Sequence, residues 1–455
     1  MEGHSKRNLS LVALTWPIFV EMLLHMLMGN ADTLMLSQYS DHSVAAVGVA
    51  NQIISVIIVM FGFVAGGAAI LIAQNLGARK PNTAGKIAVT SISLNLIFSA
   101  LLSLGLYAFS KPVLILMDLP VELMNEASIY LNIVGGFIFV QALIMTVSAI
   151  LRSYGFTKDT MHVTLGMNVL NAIGNYFVIF GPFGLPVLGV EGVAYSTMIS
   201  RFLGFIVLLF LLIKRINKEL PIQSFFNYKK AHVKALLGIG IPSAGEQLSY
   251  YASQMAITYF IAQIGTAALT TKVYVQNIGM FIFLFSIAIG QGTQILIGHM
   301  IGAGEVEKAY DRCLKSFKIA TVIGTLAAAA AYFSSDFLLG IFTDNQTIIE
   351  KGTLLLLLTI VLEPGRATNL VLINSLRAAG DVQFPVIVGI LSMWGVSVAF
   401  AWFFAIFLDL GLAGVWIGFI CDEWIRGLLM LRRWKSKIWM QKALVHEEGN
   451  ELPVK

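Results

Sequence analysis

The chain repeats itself at a constant offset of 225 residues, and this repeat constrains the fold more than any other feature of the sequence. The matched positions include Pro17 with Pro242, Glu21 with Glu246, Gly77-Ala78 with Gly302-Ala303, and Leu151-Arg152 with Leu376-Arg377. A register held without a gap from Pro17 to Arg152 indicates an internal duplication. The two halves are therefore predicted to fold alike.

Composition identifies the environment of that fold. Of the 455 residues, 57% are hydrophobic and only 12% are charged, which is typical of a polytopic membrane protein. Apolar runs of about 20 residues predict spanning helices. Twelve are predicted, at 11–37, 44–75, 86–109, 126–151, 160–181, 188–213, 233–262, 267–300, 314–333, 351–378, 384–408 and 411–431.

The fold class predicted is an all-α membrane protein with twelve transmembrane helices in two pseudo-symmetric six-helix lobes. Residues 1–220 form the N-terminal lobe with the start of a linker, and residues 221–455 form the C-terminal lobe and a cytoplasmic tail. The basic, polar connection at 214–234 is interpreted as the linker. Since each half has an even number of helices, the repeats are parallel, and a substrate cleft between them is predicted to open to either side in turn.

The distribution of basic residues predicts the orientation. Of the 30 Lys and Arg residues, three lie on one side, three lie within spans (Arg201, Arg366 and Arg426), and 24 lie on the opposite side. The positive-inside rule then places both termini in the cytoplasm, with the chain in the cell membrane. The same asymmetry accounts for the net charge of +5, so no nucleic-acid partner is expected.

No phosphate-binding loop occurs in the sequence, and no connection is long enough to contain a nucleotide-binding domain. A transporter of this kind would therefore draw its energy from an ion gradient. We expect no enzymatic activity and no cofactor.

One stripe of polar residues follows the first helix. Glu21, His25, Met28 and Asp32 are spaced by 4, 3 and 4 residues, so they share a helix face. A charge at the centre of a membrane is costly, by about 2.5–3.5 kcal/mol on insertion scales, so such residues line an interior or a water-filled cavity. The position that matches Asp32 in the second half is Ile257, which predicts that one lobe alone holds a cation.

The fifth helix carries Asn168, Asn171 and Asn175 on one face. Amide oxygens beside a carboxylate provide oxygen ligands for Na⁺, and the same amides can hydrogen-bond a protonated Asp. The alternative is that these amides only join neighbouring helices.

In the second half, Glu246 and Tyr250 lie on the face that duplicates the first-helix stripe. Glu246 has either a structural role shared with Glu21 or a role in binding. Glu363 and Arg366 are three residues apart in the tenth helix, and they form either a structural ion pair at a proline break or a contact to substrate.

With these motifs the chain resembles the multidrug and toxic compound extrusion (MATE) family, and the bacterial members most. The resemblance covers essentially all twelve helices. It is carried by Asn30-Ala31-Asp32-Thr33, by Val44-Ala45-Ala46-Val47, by Gln74 to Gly77-Ala78, and by Leu151-Arg152 to Gly155 with its partner Leu376-Arg377 to Gly380-Asp381.

The resemblance implies an antiporter for drugs or organic cations, with the cation site in the N-terminal lobe at Asp32, Asn171 and Asn175. Asn175 replaces an acid found in some relatives, and Tyr250 replaces an acid of the Na⁺-coupled type. A C-terminal cation site is therefore not supported.

The function predicted is secondary active efflux of organic, mostly cationic compounds in exchange for H⁺ or Na⁺ by alternating access. The alternative is a flippase for lipid-linked precursors, which belongs to a related fold. A monomer in the lipid bilayer is expected, with no metal beyond a possible Na⁺ at Asp32. The candidate substrate contacts are Met28, Glu21, His25, Asn168, Glu246, Tyr250, Glu363 and Arg366.

Overall fold

The computed structural model describes residues 9–216, 219–221, 225 and 229–445, and these are almost entirely helical, with no strand among them. Apolar residues cover most of the circumference of many helices and are not confined to one stripe, which is the pattern of helices in contact with apolar surroundings on several sides. The predicted linker at 214–234 lies partly outside the described residues.

Six predicted spans of the first half each lie in helical structure. The helices are α1 Leu11–Ser37, α2 Asp41–Gly77, α3 Pro81–Leu116, α4 Val121–Tyr130, α5 Phe139–Ser153, α6 Thr157–Phe180 and α7 Gly189–Ile216. The fourth span is divided, because a π-helical turn at Leu131–Gly135 follows α4 and the axis bends by 42° before α5. Gly135 and Gly136 lie at this bend against the side chains of Leu106 and Tyr107.

The second half repeats this order with small differences. The helices are α8 Lys230–Ile264, α9 Thr266–Gly302, α10 Val306–Phe333, α11 Ser335–Gly340, α12 Gln346–Ala378, α13 Gln383–Ser392, α14 Ala399–Trp402 and α15 Gly411–Lys435. The π-helical turn Met393–Val398 joins α13 to α14, and the π-helical turn Phe403–Phe407 continues α14, so that Gln383–Phe407 form one span.

Within the described residues, nine helices are long and apolar enough to cross a membrane, or ten if the bent pair α4 and α5 counts as one span. The other two predicted spans lie in α8 and α15, which are 35 and 25 residues long but carry more polar side chains. The all-helical fold class is confirmed.

The described chain divides into two compact units. The first contains Val20–Ile72 and the described parts of Lys80–Gly240, and the second contains Ala73–Arg79 with the described parts of Asn8–Phe19 and Ile241–Lys455. The start of α1 and the end of α2 thus belong to the second unit, and the start of α8 belongs to the first. The predicted lobe boundary at 220/221 adjoins residues 222–224, which are outside the described residues, and it stays a prediction.

Close approach at glycine explains how the end of α2 packs on α9 within the second unit. A Cβ on Gly77 would lie 2.0 Å from the carbonyl oxygen of His299, and a Cβ on Gly302 would lie 1.8 Å from the carbonyl oxygen of Gln74. Gly77 and Gly302 are separated by the repeat offset of 225, and so are Gln74 and His299. The duplicated sequence therefore makes the same contact twice.

We expect Gly302→Ala to lower the midpoint of thermal unfolding, because the new methyl group meets backbone that has no rotamer to change. Overpacking of this kind costs about 1–3 kcal/mol. Gly279→Ala in the same helix is the control, since a Cβ there meets nothing within 4 Å. Equal midpoints for the two purified variants would contradict the close contact.

Candidate functional site

The first unit brings together the three residues predicted to bind a cation. Asp32 is on α1, and Asn171 and Asn175 are one turn apart on α6. The Nδ2 groups of both asparagines donate to the same oxygen, Asp32 Oδ1, each at 2.6 Å. Both asparagines are buried and Asp32 is half-buried. One carboxylate oxygen is therefore fixed by two amides, as a spacing of one helical turn allows.

The amide oxygens of this site have weak partners or none. The hydroxyl of Ser196 on α7 donates to the backbone oxygen of Asn171 at 3.1 Å and lies 3.4 Å from its Oδ1. Asn175 Oδ1 is buried and accepts no hydrogen bond from any described residue. A buried amide oxygen without a donor is rare in native structures and is one place where a ligand, water or ion is expected.

Asn168 lies on the same face of α6 but has a different role. Its Nδ2 donates to the backbone oxygen of Leu24 on α1, at 2.7 Å. This contact joins two helices and corresponds to the structural alternative for the asparagine stripe. The stripe therefore divides into one residue that binds backbone and two that bind the Asp32 carboxylate.

Of the other residues in the first-helix stripe, Glu21 forms an ion pair. Glu21 is buried, and its two oxygens accept from Arg152 Nη1 and Thr160 Oγ1, each at 2.8 Å. His25 lies within electrostatic reach of Glu21, Arg152 and Arg201. Met28 is half-buried one turn before Asp32. The carboxylate of Glu21 is thus occupied by neighbours in this structure.

The second unit contains the same ion pair. Arg377 Nη2 donates to Glu246 Oε2, and both residues lie 225 positions after Arg152 and Glu21. In each half a glutamate of the first helix thus pairs with an arginine at the end of the fourth helical span. Alignment of the two halves matched all four residues but did not predict that each glutamate contacts its arginine. The signal available was that both halves retain both residues.

The other candidates of the second half form a network of charges. Arg366 Nη1 donates to Glu363 Oε1 at 2.6 Å, so the predicted intrahelical pair is present. Arg366 also lies 3.8 Å from Glu423 and stacks over the ring of Phe283 at 5.2 Å. Tyr250 is close to Arg366 and Glu423. The network continues through Arg426, which pairs with both Asp422 and Glu423.

The second half has apolar residues where the first has its carboxylate and amides. Ile257 matches Asp32 and is fully buried in an apolar cluster of the second unit. The positions 225 residues after Asn171 and Asn175 are Val396 and Phe400. The carboxylate–amide arrangement of the first unit is therefore not repeated in the second.

Sequence analysis treated Arg201 only as a basic residue within a span. The structure places it on α7 of the first unit, where its electrostatic neighbours are Tyr130 and Asp32. Asp32 and Arg201 thus carry opposite charges and lie within electrostatic reach, but they form no salt bridge with each other. The signal available in the sequence was the rarity of arginine in a membrane helix.

Tandem helical repeats with ionisable groups inside the spanning segments are typical of a secondary transporter. The MatE family model matches residues 17–177 and 242–403, two segments that begin 225 residues apart. The chain therefore belongs to the MatE family and is a MATE family transporter.

Relatives and solved structures agree with this assignment. The chain is 54% identical to the uncharacterized transporter YisQ of Bacillus subtilis over 98% of each chain. It is 28% identical to the probable multidrug resistance protein NorM of Thermotoga maritima over 96% of this chain and 94% of the relative.

Two solved structures confirm the fold. A multidrug resistance MATE family transporter in an outward-facing conformation has a TM-score of 0.85 at 22% identity and covers 94% of this chain and 95% of its own. A MATE structure in the bent conformation has a TM-score of 0.87 at 22% identity, with 95% and 96% covered.

Proposed function

We propose that the protein is a secondary active exporter of organic, mostly cationic compounds, driven by H⁺ or Na⁺ through alternating access. The observation that carries this proposal is Asp32, a half-buried acid whose Oδ1 accepts from two buried amides. The printed names of several relatives, which are probable multidrug resistance proteins, support the substrate class.

In the proposed exchange, ionised Asp32 attracts an organic cation. Uptake of H⁺ or Na⁺ neutralises the carboxylate and removes that attraction, so ion and compound compete for one group. Each asparagine amide donates a hydrogen bond when Asp32 is charged. After the amide rotates by half a turn, its oxygen can accept a hydrogen bond from protonated Asp32 or bind Na⁺.

The energies involved are sufficient for such exchange. A coupling of about 1–3 kcal/mol between two ligands changes affinity roughly 5- to 150-fold. A gradient of one pH unit supplies about 1.4 kcal/mol per proton, by the conversion of one pKa unit. The gradient and the coupling are thus of similar size.

The same proposal includes the setting of the protein. The chain is a multi-pass membrane protein, and we propose a monomer in the cell membrane with both termini in the cytoplasm. The excess of Lys and Arg on one side of the predicted spans supports this orientation.

The test is dye exchange by the wild-type protein in proteoliposomes, with pH and Na⁺ gradients imposed separately. We expect a fluorescent organic cation to move against its own gradient under at least one of the two. Movement only down the dye gradient would contradict active transport. Scrambling of labelled lipid in vesicles that contain no dye would instead support the flippase alternative.

A further inference from the structure

Arg201 on α7 differs from the paired arginines of the spanning helices. The other arginines in these helices with buried carboxylate partners are Arg152, Arg366, Arg377 and Arg426. Arg201 forms no salt bridge with any described residue, and its Nε and Nη1 are out of contact with solvent and without a hydrogen-bond partner there. The residue as a whole is half-buried, so part of its side chain stays accessible.

Leaving these N–H groups unpaired is unfavourable. A buried donor without an acceptor destabilises the folded protein, and more so when the donor is charged. Native structures keep such groups where an unseen water, ion or ligand satisfies them. The nearby acid does not do so here: Asp32 Oδ1 accepts from Asn171 and Asn175, and neither Arg201 Nε nor Nη1 donates to an Asp32 oxygen.

The surroundings of Arg201 favour an anionic oxygen ligand. Thr197 lies one turn earlier on α7 and adds a buried hydroxyl group. Tyr130 is buried beside Arg201 and lies near Thr197 and Asn51. A guanidinium together with a hydroxyl donor matches a carboxylate, to which arginine binds in a planar fork.

We propose that Arg201 binds a carboxylate of the exported compound, so that the site accepts zwitterions whose cationic end lies at Asp32. This inference rests on the proposed function and names a substrate class for the same site. It follows from two opposite charges that share one buried cluster without pairing. A compound with both charges satisfies Arg201 and Asp32 together, whereas a simple cation leaves Arg201 unpaired.

The test compares two dyes that differ in one charge. Rhodamine B has a free carboxylate, and its ethyl ester has the same ring system and only the positive charge. Binding of each dye to purified wild-type protein and to Arg201→Gln is measured by fluorescence anisotropy. We expect the variant to bind rhodamine B at least tenfold more weakly, and to bind the ester as well as wild type or better.

Arg215→Gln is the matched control, since Arg215 lies on the same helix but pairs with Asp159 at a more exposed position. It is expected to bind both dyes as wild type does. Equal binding of rhodamine B by wild type and Arg201→Gln would overturn the inference. An equal loss of both dyes in a variant that elutes as folded protein would also overturn it, because Arg201 would then act on the site in general.

Binding in detergent separates this inference from the proposed function. If wild-type protein binds rhodamine B through Arg201 but drives no exchange of either dye, the carboxylate site stands and active export fails. If wild-type protein exchanges the ester under a gradient while Arg201→Gln changes the binding of both dyes by the same factor or not at all, active export stands and the carboxylate site fails.

Discussion

Asp32→Asn is expected to reduce gradient-driven exchange of a cationic dye by at least tenfold. The substitution removes the charge for which ion and dye compete, and a coupling of about 1–3 kcal/mol lost in this way corresponds to roughly 5- to 150-fold in affinity. The local fold should remain, because the asparagine keeps an oxygen where Oδ1 now accepts from Asn171 and Asn175. Exchange is measured in proteoliposomes under the gradient that drives the wild type.

Asp118→Asn provides the control for this measurement. Asp118 is exposed and has a φ of 55°, a backbone conformation that asparagine adopts readily. The control should exchange dye at the wild-type rate. An Asp32→Asn variant that stays within twofold of wild type would contradict the role assigned to the carboxylate.

The second large effect is expected from the duplicated ion pair. Arg152→Met leaves Glu21 buried with a charge and without its cation, and removal of one partner of a buried pair costs about 3–5 kcal/mol. The lower end of that range is expected, because the Arg152 side chain is 22% exposed. The midpoint of thermal unfolding should fall clearly, and Arg377→Met should have a similar effect through Glu246.

A second substitution separates lost pairing from lost packing. Glu21→Gln combined with Arg152→Met should recover most of the midpoint, since a neutral residue replaces the isolated charge. Arg215→Met, which breaks the more exposed pair with Asp159, should cost at most about 1 kcal/mol. If Arg152→Met and Arg215→Met behave alike, the ion pair at Glu21 is not a major source of stability.

Helix positions and the asparagine stripe could be predicted from the sequence because each depends on local pattern. Apolar runs predicted the spans, and spacings of three and four residues placed Asn171 and Asn175 on one face. The offset of 225 then singled out Asp32, because its counterpart is Ile257. The structure brings these three polar residues together, as the resemblance to the MATE family implied, and their role in binding a cation stays a prediction.

Other contacts depend on tertiary packing, which local pattern does not report. Glu21 and Arg152 are 131 residues apart, and so are Glu246 and Arg377. The bend between α4 and α5 also escaped prediction, because the apolar run continues through the π-helical turn. Arg201 was missed as a site residue because its neighbours Tyr130 and Asp32 are on helices that are far from it in the sequence.

The restriction of the carboxylate to one half has an electrical consequence for the proposed exchange. The arrangement of Asp32, Asn171 and Asn175 contains a single carboxylate, so it balances one positive charge at a time. Swapping a monovalent organic cation for one H⁺ or Na⁺ at this site is electroneutral. Membrane voltage, which is worth about 2.3 kcal/mol per elementary charge at 100 mV, then adds nothing to the driving force, and the chemical gradient of the ion supplies all of it.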